Sequence, residues 1–135
     1  MRIIKAGLLL ALAGLTGCSD EGDVTMAPPD DPAPAVSYAA DVQPIWNSHC
    51  IGCHGAGGNA GLDLRASAGP AALVNVAATG YAGSRVVPGD PDVSVLTRKL
   101  QGDPTTGDRM PLGGALSAGQ IETIRSWIAA GALNN

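Results

Sequence analysis

Three stretches of this chain repeat apolar residues at helical spacing. The last is the clearest: Ser117 and Gln120 form a capping box, Ile121, Ile124 and Ile128 share a face, Trp127 flanks it, and Gly131 supplies a left-handed stop. Nearer the start, Val42, Ile45, Trp46 and His49 fall on neighbouring turns, which predicts a helix over residues 38–48, capped by Ser37 and delivering Cys50 at its C-terminal end. Pro44 lies inside that span, so this helix begins late or kinks. Between these two, Asp90 and Pro91 read as a cap and a first-turn proline for a helix through Val93, Leu96, Thr97 and Leu100, ended by Gly102. Residues 73–78 and 85–87 are short, mostly apolar pieces compatible with extended chain, but nothing reads as a paired-strand sheet. The expected fold is all-α, with three main helices joined by long Gly- and Pro-rich loops.

A fourth apolar run, over residues 6–15, has a different character. Arg2 and Lys5 precede it, and Leu15-Thr16-Gly17-Cys18 closes it. The run is shorter than the ~20 apolar residues of a membrane span and fits an export signal. The tetrapeptide resembles the lipobox of bacterial lipoproteins, which implies a signal peptide over residues 1–17, lipid on Cys18, and residence on the periplasmic side of a bacterial membrane. An ordinary secretory signal cut elsewhere is the other reading. Residues 18–36 then form a linker, with five acids between Asp20 and Asp31 and prolines at 28, 29, 32 and 34. The body, residues 37–135, has six Lys/Arg against seven Asp/Glu.

Composition narrows the classes further. The chain has 135 residues, one domain's worth, and its 19 Gly and 10 Pro argue for long turns. Its net charge of −4, without a basic cluster, excludes nucleic acid as an expected partner. No Ser/His/Asp set is available in the body, whose two histidines are His49 and His54. The glycine pairs at 57–58 and 113–114 lack the Lys and Ser/Thr of a phosphate-binding loop.

One cluster carries distinctive chemistry: Cys50-Ile51-Gly52-Cys53-His54. This is the C-x-x-C-H pattern of covalent haem attachment, in which two thiols three positions apart add to the two vinyl groups of one porphyrin edge and the next residue offers an imidazole to the iron. The chain has three cysteines, so none is left over once Cys18 and this pair are assigned. A dithiol oxidoreductase is a rival, but its motif belongs in a βαβ unit. Zinc is another, with Cys50, Cys53, His54 and His49 as ligands, but these lie within six residues and lack a distant second pair.

Iron held by one imidazole has a sixth position to fill. Met1 and Met26 lie in the signal and linker, which leaves Met110, in Asp108-Arg109-Met110-Pro111, as the body's thioether. A core-filling methionine is the alternative. His49 is the competing ligand, but it adjoins the attachment motif and is expected to point elsewhere as a partly exposed helical residue.

The body resembles a small class I cytochrome c of the planctomycete-type group. The resemblance rests on Cys50-Ile51-Gly52-Cys53-His54-Gly55, Gly61-Leu62-Asp63-Leu64, Val87-Pro88-Gly89-Asp90-Pro91-Asp92 through Leu96, Met110-Pro111, Leu116-Ser117 through Gln120-Ile121, Trp127-Ile128 and Ala130-Gly131-Ala132. It implies one haem c on Cys50 and Cys53, iron between His54 and Met110, and first and last helices crossing near the haem edge. Residues 65–85 are not covered. The function so implied is single-electron transfer between redox partners such as a dehydrogenase, an oxidase or reductase, or another cytochrome, with a lipid tether to the membrane and no catalytic residue. A haem enzyme or gas sensor with a displaceable sixth ligand is the alternative. Arg65, Arg85, Arg109 and Tyr81 are weaker candidates for haem propionate partners, each more simply a surface residue, and Trp46 and Trp127 are expected to pack first and last helices together.

Overall fold

The computed structural model describes residues 36–135. The signal peptide, the Cys18 lipid site, Met1, Met26 and all but the last residue of the linker lie outside the described residues. Val36, at the linker's end, already packs against the core.

The first helical segment opens as Ser37 predicts, its hydroxyl accepting from Ala40 N (3.2 Å). Pro44 then dictates the shape of the turns around it. A proline lacks an N–H, and its ring collides with the carbonyl four residues back. The chain accommodates this with a wide π turn over Tyr38–Val42, leading into helix α1, Gln43–His49, with Pro44 in its first turn. Cys50 occupies the C-cap.

Helix α2, Val95–Gln101, begins later than Asp90 and Pro91 suggest. Asp90 does cap a turn, its carboxylate accepting from Asp92 N (3.1 Å) and Val93 N (3.2 Å), but the backbone re-extends at Ser94. Tertiary bonding is the reason. The Ser94 hydroxyl accepts from Val87 N (2.9 Å) and donates to the Asp90 carbonyl (2.7 Å), while Val95 N and Leu96 N donate to the carbonyls of Ser84 (3.1 Å) and Arg85 (2.9 Å). The free N–H groups of the helix start are thus satisfied by a neighbouring segment instead of a side-chain cap. Gly102 ends α2 as expected, at φ +79°.

Helix α3, Ala118–Ala129, has both halves of the capping box. Its end closes with Gly131 N on Ile128 O (2.9 Å) and Ala132 N on Trp127 O (2.9 Å), Gly131 taking φ +102°. Ile124, Trp127 and Ile128 are buried, while Ile121 is only partly so.

Residues 73–78 and 84–87 form isolated bridges, Val74 with Val86 and Ala77 with Ser84. Among the described residues there is no sheet, and the architecture is all-α with three helices. The core joins Tyr38, Val42, Ile45 and Trp46 to Leu64, Leu73, Val86, Leu100, Leu116, Ile124, Trp127 and Ile128. The two ends of the domain are welded together: the Tyr38 and Trp127 rings lie 5.1 Å apart, Asn135 accepts from Tyr38 N (2.8 Å) and Ala39 N (2.9 Å), and Trp127 Nε1 donates to Leu133 O (2.8 Å). Burial raises the Tyr38 hydroxyl to about 12.

Replacing Ser117 with Ala removes the cap of α3, which should cost about 1 kcal/mol and lower the midpoint by about 4–8 °C for a domain of this size. Thermal unfolding followed by circular dichroism checks this.

Candidate functional site

The C-x-x-C-H segment continues α1 as one irregular helical turn. The Cys50 carbonyl accepts from both Cys53 N (3.1 Å) and His54 N (2.9 Å), while Cys50 N itself donates to Trp46 O (2.8 Å). That winding puts Cys50 and His54 on one side. His54 is then locked from behind: its carbonyl accepts from Leu64 N (2.8 Å), and the Leu64 carbonyl accepts from the buried Gln43 amide (2.9 Å). The stretch Gly61-Leu62-Asp63-Leu64 therefore braces the histidine against α1.

His54 and Cys50 face a cleft with about 680 Å³ of empty space, open to solvent on one side. Its walls are mostly aliphatic, from Leu62, Leu64, Leu73, Val95, Leu96 and Leu100, with the Trp46 and Tyr81 rings beside them. A lining of this composition suits an apolar group. Met110 also lines it.

The loop carrying Met110 reaches the cleft by completing the end of α2. The last carbonyls of a helix need outside donors. Here Asp103 N donates to Arg98 O (2.9 Å), Met110 N to Lys99 O (3.1 Å) and Arg109 Nε to Leu100 O (2.9 Å). Asp103 anchors the loop's start, accepting from Thr105 N (2.8 Å), the Thr105 hydroxyl (2.6 Å) and Arg98 Nε (2.8 Å). The Thr105 hydroxyl, then Arg98, hold its carboxyl at about 2, below the usual 3.8. A lowered carboxylate stabilises the loop above the ordinary value and loses that contribution as the pH falls through about 2.

The residues expected to matter do not all meet in one place. Cys50, His54 and Met110 share the cleft, whereas Cys53 is exposed beside it. His49 is exposed and meets Gln120 Nε2 (3.0 Å) through its Nε2, away from the cleft walls. Trp46 and Trp127 are both fully buried, and Trp46 also forms part of the cleft wall. Arg65 is paired with Asp63 (2.7 Å), and Arg109 is committed to α2. Arg85 lines the cleft while donating to the carbonyls of Ala72 (2.8 Å) and Ala60 (3.0 Å).

Three observations bear on what the cleft can hold. Both body cysteines are free thiols, and burial, then the neighbouring Cys53, pushes the Cys50 thiol up to about 11. A thiol so raised lacks the thiolate character that a dithiol oxidoreductase uses. Among the described residues, no three His, Cys, Asp or Glu side chains converge as a closed zinc site requires. The His54 Nδ1 is buried without a hydrogen-bond partner. The donor set, a thiol, an imidazole and a thioether on the lining of an apolar cleft with a second thiol exposed beside it, fits a covalently attached haem.

Sequence reading missed Gly58. A Cβ there would stand 2.6 Å from Leu62 O and 2.8 Å from both Gly55 O and His54 Cα, all backbone atoms. A one-atom change in contact with His54 should therefore disturb the whole brace. Gly58→Ala is expected to destabilise the protein by about 1–3 kcal/mol through overpacking, read from urea unfolding. A search for related proteins finds no match among family models, curated proteins or solved structures.

Proposed function

We propose that this chain is a single-haem c-type cytochrome that carries single electrons between redox partners outside the cytoplasm. The observation that carries the reading is the C-x-x-C-H turn set at an apolar cleft with Met110 on its wall. In this reading Cys50 and Cys53 would hold the porphyrin covalently, and His54 and Met110 would ligate its iron. When bound, haem iron supplies a one-electron couple.

The rest is done by the chain. His54 and Met110 would both ligate the iron, so a change of oxidation state would need no exchange of ligands. Thioether ligation opposite histidine favours the reduced state relative to two histidines and raises the potential. The aliphatic walls would flank the group, and the Leu64–Gln43 brace holds the His54 backbone in place. With both residues on the iron, the arrangement would suit a carrier better than a catalyst.

The same proposal extends to the N-terminal segment. Lipid on Cys18 would tether the domain to a membrane on the periplasmic side, with residues 18–36 as the leash. Redox proteins of that compartment would be its partners.

Material matured in a bacterium that attaches haem c should carry one haem by mass and give a c-type pyridine haemochrome spectrum. A colourless chain would overturn the proposal. Met110→Ala should keep the covalent haem, lower the potential and let the reduced protein bind carbon monoxide, while Cys50→Ala and His54→Ala should yield little holoprotein. Carbon monoxide binding by the unsubstituted protein would point instead to a haem enzyme or sensor.

A further inference from the structure

Lys99 holds its ammonium against the loop that leads to Met110. Its Nζ donates to the carbonyls of Thr106 (2.8 Å) and Asp108 (3.1 Å) and to the Tyr81 hydroxyl (3.0 Å). An ammonium has three protons, and these acceptors match them one for one. The same Nζ lies 4.6 Å from the centre of the Tyr81 ring. Through its backbone, Lys99 accepts from Met110 N (3.1 Å). One residue therefore grips the loop twice, by side chain at positions 106 and 108 and by main chain at 110.

Tyr81 reinforces the grip from the other side. A Cβ on Gly107 would stand 2.8 Å from its hydroxyl oxygen, so the loop backbone passes close to the hydroxyl end of the ring. Lys99 and Tyr81 both line the cleft beside Met110, and Lys99 is half-buried there. A lysine free to move in water would have none of these constraints.

We infer that Lys99 is a positioning residue for Met110: its ammonium keeps the 104–110 loop closed on α2 and so holds the thioether at the cleft wall. The inference rests on the proposed haem site, in which Met110 is the sixth ligand. Hydrogen bonds from a cation are stronger than neutral ones, and a loop already ordered loses little further freedom when its methionine binds. An apolar side chain at 99 would leave the Thr106 and Asp108 carbonyls to water and let the loop swing away. Met110 would then compete less well for the iron against an added ligand.

The test compares the unsubstituted holoprotein with Lys99→Met and Lys99→Arg, using imidazole as the competing ligand and amide hydrogen exchange as a second reading. Lys99→Met should retain one haem by mass yet bind imidazole at about tenfold lower concentration, the effect of losing charged hydrogen bonds. Exchange at residues 106–110 should quicken by about tenfold, with α1 and α3 unchanged, and Lys99→Arg should recover most of both effects. Imidazole binding and loop exchange within about twofold of the unsubstituted protein, or exchange quickened equally throughout the domain, would overturn the inference. If Lys99→Met does not accumulate, Lys99→Gln is judged by the same criteria. Should the unsubstituted chain carry no haem, the function proposal fails by itself, and the exchange comparison alone decides whether Lys99 holds the loop.

Discussion

Two of the three helices have seven residues each, well below the ~12–15 that an isolated helix needs to persist in water, so they exist through what they pack against. That support is a core in which Trp46, Trp127 and Ile124 are fully buried and the two ends of the domain are tied through Tyr38 and Asn135. The core also supplies part of the cleft wall. Leu64, Leu73 and Leu100 belong to it and also line the cleft.

The geometry of the cleft arises from how helix ends are satisfied. The end of α1 winds into the Cys50 turn, and the Cys50 carbonyl, by accepting twice, sets His54 toward the cleft. The end of α2 draws its donors from residues 103, 109 and 110, which brings Met110 to the same cleft. These are backbone requirements that any helix terminus must meet. Here they place an imidazole and a thioether on the lining of one cleft, although 56 positions of sequence separate His54 from Met110.

Charge is used sparingly. Arg85 and Lys99 are the cations on an otherwise mostly aliphatic lining, and both donate to backbone carbonyls of neighbouring segments. Arg65 and Arg98 are paired with Asp63 and Asp103, pairs that are partly exposed and contribute little stability of their own. Their effect is local, fixing the turns beside His54 and at the start of the methionine loop.

Local chemistry was enough to establish the punctuation of the chain. Ser37, the Ser117–Gln120 box, Gly102 and Gly131 act on atoms within a few residues of themselves, and the C-x-x-C-H spacing is a property of one helical turn, so each was legible from sequence. What depended on distant partners was not. The π turn before α1 marks how the chain absorbs Pro44, and the late start of α2 arises because residues 84 and 85 supply acceptors that no nearby side chain could advertise. Gly58 is demanded by backbone closing over His54, and Lys99 meets Tyr81 and the 104–108 loop only after folding. The residue types of the site were written in the sequence because chemistry resides in side chains; that His54 and Met110 share one cleft was decided by tertiary structure, because it required helix ends and a loop to satisfy one another's hydrogen bonds.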